Sequence, residues 1–225
     1  MMAITCTHSP SNGSSTPPRL PLLSRVVASA SEMSDTQFSM AALSYRGYWH
    51  SSGRPSQIGI EKDAKAFLTW AIQTYPDHGI VLWGQSIGAG VATNAAAEHV
   101  TGVNDSRNIK GLILETPFVS VRRMLAALYP ERWVPYRYLW PFLRNWWDSE
   151  QALRDISTAS HKPNILLIPA GKDEVVPAPE ADHLESLCKD LQLVYRRKDV
   201  VGALHNEAST KASGKQAIVE FLCSL

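Results

Sequence analysis

Apolar residues fall into two recurring patterns along this chain. The first is the short unbroken run: "FSMAALSY" at 38–45, "GIVLW" at 79–83, "IKGLILE" at 109–115 and "NILLIPA" at 164–170. Runs of this length, bounded by turn residues, predict buried strands. "LVYRRKDV" predicts a further strand, and residues 2–7 admit a short one. The second pattern is the helical stripe. Leu22, Leu23, Val26, Val27 and Ala30 recur at helical spacing, as do Ile60, Ala64, Phe67, Leu68, Ala71 and Ile72. Ser56 stands where it can cap the second of these helices. A helix rich in small residues is predicted over about 87–98, an amphipathic one over "PEADHLESLCKDL", and a terminal one over "GKQAIVEFLCSL".

Strands and helices alternate, and the strands are continuous rather than alternating in polarity. That combination predicts an α/β fold, with a mostly parallel sheet covered by helices on both faces. Residues 9–18, "SPSNGSSTPP", read as a loop, and 1–18 is set apart as an irregular N-terminal segment. One stretch breaks the rhythm: 117–160, between two strands, is too long for a simple crossover. It holds Tyr129, Trp133, Tyr136, Tyr138, Trp140, Phe142, Trp146 and Trp147, and predicts a helical, aromatic-rich cap inserted into a domain of 19–225.

Composition narrows the classes. With 225 residues the chain can form one full domain; 44% hydrophobic and 19% charged residues suit an ordinary globular protein. A net charge of +1 supplies no general field for nucleic acid. Cys6, Cys188 and Cys223 are scattered and odd in number, which speaks against a disulfide framework or a metal cluster. No apolar run reaches the roughly 18 residues of a membrane span, and "MMAITCTHSPSNGSSTPPRLPLL" lacks the pattern of a signal peptide. The expected location is cytoplasmic.

The candidate chemistry sits in "VLWGQSIGAG", where an apolar run stops at small residues. Gly84-Gln85-Ser86-Ile87-Gly88 is a G-x-S-x-G pattern; Gly88-Ala89-Gly90, ending in Thr93, is an incomplete dinucleotide-binding pattern. The nucleotide reading has a strand before it, a helix after it and Glu115 closing the next strand. The serine reading needs a sharp strand-to-helix turn, with glycines flanking Ser86 because Cβ atoms there would collide. It also needs a base and an orienting acid, in the chain order Ser, acid, His, each just after a strand. Asp173 follows "NILLIPA", and His205 lies between the next strand and the last helix. The nucleotide reading leaves both unexplained. Asp173 taken alone suits a turn-former, and Glu174 or Glu115 could take the acid's place. No cofactor or metal is called for.

In "LSYRGYWHSSGRPS", "WGQSIGAGVA", "ILETPFVSV", "AGKDEVVP" and "ALHNEAS" the chain resembles the α/β-hydrolase superfamily. More closely it resembles the Bem-type (bud-emergence suppressor) hydrolases and the α/β-hydrolase-domain-containing proteins thirteen and seventeen. The resemblance implies a catalytic triad of Ser86, Asp173 and His205, and a carboxylic ester or thioester substrate: a small acyl ester, a lipid or an acylated protein. Relatives of the seventeen type remove palmitate from protein cysteines. The Ile87 N–H would serve as one oxyanion donor. The cap, with Arg122, Arg123, Arg132, Arg137 and Arg144, would offer an acyl pocket or a peripheral membrane contact.

The chain departs from these relatives at its front. They carry a hydrophobic anchor, two opening strands, and a strand ending in a His-Gly-Asn turn that gives the second oxyanion amide. Here His8 takes the His position, but Ser9 and Pro10 replace Gly-Asn, and Pro10 has no N–H. The second donor is therefore expected near Ser9. Loss of one donor costs about 100- to 1,000-fold in turnover. Absent strands would bare a sheet edge. The alternatives are thus a truncated or non-catalytic relative acting as an interaction module, membrane-associated if an anchor is missing, or a nucleotide-binding protein at Gly88–Gly90.

Overall fold

A continuous apolar run satisfies its backbone in a sheet while burying side chains on both faces, and such runs set the architecture here. A computed structural model of the protein describes residues 2–8, 19–102, 108–128 and 146–225. In chain order the elements are β1 (Met2–His8), α1 (Leu20–Met33), β2 (Phe38–Leu43), α2 (Gln57–Thr74), β3 (Gly79–Gln85), α3 (Ile87–Gly102) and β4 (Ile109–Glu115). Then come α4 (Val121–Leu128), α5 (Ser149–Thr158), β5 (Asn164–Ile168), α6 (Ala178–Asp190), β6 (Tyr195–Arg197) and α7 (Ala212–Cys223). The six strands form one sheet in the order β2-β1-β3-β4-β5-β6, and every pairing between them is parallel.

The segment 1–18 is not irregular throughout. The short strand admitted at 2–7 runs Met2–His8 and lies between β2 and β3, with His8 in register with Gln85. Residues 9–18 lie outside the described residues.

Alternation along each strand divides the core in two. Ile80 and Leu82, Leu112 and Leu114, and Ile165 and Leu167 pack against α2, α3, α5 and α6. Val81 and Trp83, Ile113, and Leu166 and Ile168 face α1 and α7. Ser56 caps α2 as expected, its hydroxyl accepting from Gly59 N at 3.2 Å. Cys188 lies in the first core. Burial, with Glu185 adding to it, pushes its thiol up to about 12, so it is a protonated packing group.

The boundaries of the insertion change. Sequence spacing assigned 117–160 to a cap, but α5 packs Ala152, Leu153 and Ile156 into the sheet-covering core beside α3. Its first turn is capped by Asp148, whose carboxylate accepts from Gln151 N at 2.9 Å. α5 is therefore a helix of the main domain. Residues 129–145, with six of the eight aromatics that suggested the cap, lie outside the described residues.

Candidate active site

All six strands run parallel, so their C-terminal ends share one edge of the sheet, and Ser86, Ile87, Asp173 and His205 all lie along it. Ser86 occupies the single residue between β3 and α3. Its φ is +54°, a left-handed conformation costly for any residue with a side chain. The turn is held from two sides. Ser86 N donates to the Glu115 carbonyl at 2.9 Å, and the Ser86 carbonyl accepts from Ala89 N at 2.9 Å. Gly84 is required: a Cβ there would stand 2.0 Å from the Gly88 carbonyl oxygen. The strained serine and its flanking glycines are thus one device, with the geometry of a nucleophile elbow. Ile87 opens α3, so its N–H has no acceptor within the helix, and the positive end of the helix dipole faces the same point.

Gly88 and Gly90 lie within α3 rather than in a phosphate-binding loop. A Cβ on Gly90 would meet Trp147 Cβ at 3.3 Å. Trp147 is buried with φ +41° and packs with Val91, Tyr45 and Phe118 above the strand ends. Glu115, the acid the nucleotide reading required, has a fully buried side chain ion-paired to Arg19 at 3.2 Å. Nothing in this turn favours a dinucleotide.

Asp173 and His205 come together from separate loops. His205 Nδ1 lies 2.9 and 3.0 Å from the two Asp173 carboxylate oxygens. The same carboxylate accepts from Val175 N at 2.9 Å and Val176 N at 2.8 Å, which fixes its orientation. Backbone bonds fasten the two loops: Gly171 N to Val200 O at 2.9 Å and Lys172 N to Ala203 O at 2.8 Å. Glu174 does not bond the His205 ring; its carboxylate accepts from the His205 backbone N–H at 2.9 Å and anchors the main chain instead. Glu115 makes no hydrogen bond to His205; its carboxylate pairs with Arg19.

With Nδ1 facing a carboxylate, Nε2 is the nitrogen left for chemistry. It is buried and makes no hydrogen bond among the described residues, so none joins it to Ser86 Oγ. The link between the two loops and the elbow runs through the preceding residue: Gln85 Nε2 donates to the His205 carbonyl at 3.0 Å. The second oxyanion donor, expected near Ser9, lies outside the described residues.

The stems of the insertion are tied to the same edge. Ser149 N donates to Val119 O at 2.8 Å, and Val121 N to Trp146 O at 3.0 Å. The Gln57 side chain accepts from the Trp146 and Trp147 amides. Glu180, buried at the start of α6, accepts from Val119 N at 2.9 Å and from Arg123 Nε at 3.0 Å. Arg123, counted among the cationic groups of a membrane-facing cap, is thus engaged inward. Arg132, Arg137 and Arg144 lie outside the described residues. Among those described, no helix is long and apolar enough to cross a membrane.

Sequence reasoning missed Arg19, Ser209 and the role of Gln85. Gln85 was in view as a variable position of G-x-S-x-G. Arg19 and Ser209 belong to no pattern, and only their convergence in space marks them.

The family follows from this geometry and from direct comparison. The chain belongs to the α/β-hydrolase fold family, whose model matches residues 25–152. Protein bem46 of Schizosaccharomyces pombe is 31% identical over 207 residues, spanning 91% of this chain and 62% of that protein. The lysophosphatidylserine lipase ABHD12 of Danio rerio is 33% identical over 155 residues, 64% of this chain and 38% of that protein. The chain therefore spans less than two thirds of the length of these relatives. Among solved structures, the Pyrococcus furiosus esterase Pf2001 superposes with a TM-score of 0.69 at 19% identity, covering 98% of this chain and 80% of that one.

Proposed function

We propose that the protein is a serine hydrolase that cleaves carboxylic esters or thioesters through an acyl-enzyme. The observation that carries this reading is the His205 ring. Asp173 holds its Nδ1, its Nε2 is buried and unbonded, and its backbone is tied to the residue preceding a strained serine. An unbonded catalytic nitrogen is common before substrate binds, because such hydrogen bonds tighten only in the reacting complex.

In this mechanism Ser86 Oγ attacks the substrate carbonyl carbon as His205 Nε2 takes the hydroxyl proton. The Ile87 N–H donates to the developing oxyanion. The tetrahedral intermediate collapses, and His205 returns the proton to the departing alkoxide or thiolate. Water, deprotonated by the same nitrogen, then attacks the acyl-serine; the second tetrahedral intermediate collapses, His205 returns that proton to Ser86 Oγ, and the carboxylic acid leaves. Asp173 keeps the proton on Nδ1 throughout and stabilises the imidazolium.

A lipid or other acyl ester is the favoured substrate class. The named lipase among the relatives supports it, as does the aromatic-rich stretch that follows α4. An acylated-protein thioester rests on the sequence resemblance alone. A fluorophosphonate probe should label the purified protein, the label should vanish in Ser86→Ala, and short nitrophenyl esters should be hydrolysed. A folded wild-type protein that neither labels nor hydrolyses would sink the reading and favour a non-catalytic interaction module, the outcome in keeping with Pro10 at the expected donor turn.

A further inference from the structure

The Arg19 guanidinium reaches three parts of the candidate site at once. Nη1 donates to Gln85 Oε1. Nη2 donates to Ser209 Oγ at 2.9 Å and to Glu115 Oε2 at 3.2 Å. Gln85 immediately precedes Ser86. Glu115 supplies the carbonyl that holds the Ser86 N–H. Ser209 lies four residues beyond His205 and is fully buried. One side chain at the start of α1 is therefore bonded to the nucleophile's strand, to the strand beside it, and to the loop carrying the base.

The Gln85 amide is the informative group. It is buried, and its two ends are chemically distinct: one accepts and the other donates. A guanidinium can only donate, so the end facing Arg19 must be Oε1. A backbone carbonyl can only accept, so the end facing His205 must be Nε2, which donates to it at 3.0 Å. Turning the amide over would set NH₂ against guanidinium and oxygen against oxygen. Arg19 thus selects the one amide orientation that fastens His205 beside the elbow. The buried Glu115 carboxylate keeps the guanidinium in place by charge, and Ser209 orients the fork.

Resting on the hydrolase reading above, we propose that Arg19 is a positioning residue for the reaction. Through Gln85 it sets the distance between Ser86 and His205, and so the rate at which the serine is acylated. It touches neither substrate nor the reacting atoms. A merely structural ion pair would behave differently: replacing both its members by apolar groups would preserve the fold and leave the chemistry unchanged.

The test is Arg19→Met combined with Glu115→Met, which removes the pair without leaving a buried charge, alongside Arg19→Lys, which keeps the charge but not the planar fork. Four quantities are read in each: melting temperature, the steady-state kcat and KM for a nitrophenyl ester, and the rate constant of fluorophosphonate labelling at Ser86. The expected result is a folded double variant whose labelling rate and kcat fall at least tenfold with KM within twofold of wild type, and an Arg19→Lys protein that falls several-fold. The downfield proton resonance of His205 Nδ1–H should broaden in the double variant as its loop loosens, a signal independent of turnover. A folded double variant with wild-type labelling and an unchanged resonance overturns the proposal, as does a loss confined to KM. Absence of labelling in the wild-type protein itself is a separate result that overturns the hydrolase reading; the resonance still reads the Arg19 linkage in that case.

Discussion

The turn at Ser86 and the paired loops at Asp173 and His205 reach the same edge of the sheet by opposite means. The turn is built from consecutive residues. A strand ends, a helix begins one residue later, and the geometry between them leaves no room for a Cβ at Gly84. The loops are built from residues 32 positions apart. They meet only because β5 and β6 are neighbours in the sheet, with the bridge between Ala170 and Val200 continuing that pairing. The turn stores local strain. The loops store little strain and depend on hydrogen bonds that cross between them. Damage should therefore take different forms: a steric change at the turn should lower stability and activity together, whereas a polar change in the loops should lower activity with the fold intact.

The largest effect is expected at Asp173. Asp173→Asn keeps the shape but no longer holds a proton on His205 Nδ1, and turnover should drop by about ten-thousand-fold while the melting temperature stays close to wild type. Kinetics and a thermal melt on the same sample check this. A drop of less than tenfold would mean that the His205–Asp173 contact has no part in catalysis.

Next comes Gly84→Ala. The added methyl meets backbone, which cannot rotate away, so overpacking should cost roughly 3 kcal/mol. For a domain of this size that corresponds to a melting temperature lower by roughly 6–12 °C. Labelling at Ser86 should fall with it. An unchanged melt would show that the elbow relaxes freely and is not the strained turn described.

The smallest effect lies outside both regions and serves as their control. Arg46 binds Asp63 with a fork of hydrogen bonds, Nη2 to Oδ1 at 2.7 Å and Nε to Oδ2 at 3.0 Å. Burial pushes the Asp63 carboxyl up, but the Arg46 hydrogen bonds and charge outweigh it and hold it below its ordinary value of 3.8. A carboxylate lowered on folding contributes stability that is fully present above its ordinary value and lost as the pH falls through the lowered one. Asp63→Asn should therefore flatten the fall in melting temperature below about pH 4 and leave activity at neutral pH unchanged. An equally steep fall in the variant would assign acid sensitivity to other groups.

How much was legible beforehand follows the same division. The elbow was read directly, because hydrophobic runs, small residues and helix starts are local signals with fixed spacing. β2, β3, β4 and β5 were found for the same reason; β1, whose run is short and mixed in polarity, was only admitted, and the last strand, predicted over 193–200, is only Tyr195–Arg197. α5 was misassigned to the cap because a short amphipathic helix beside a long irregular stretch looks the same whether it covers the sheet or the site. The packing role of Gly90 was invisible because its neighbour, Trp147, lies 57 positions away, and nothing near Gly90 in the chain announces it.

By itself, the sequence determined the alternation of strands and helices, the position of the strained serine, and the order in which Asp173 and His205 follow it. Those properties arise from backbone sterics and burial periodicity, which act over a few residues. Only the tertiary structure decided which carboxylate faces His205, with Asp173 taking the ring, Glu174 the backbone and Glu115 the Arg19 guanidinium. The three acids are chemically near-equivalent in one dimension. What separates them is direction and distance, and those exist only once parallel strands have brought loops from four parts of the chain to one edge.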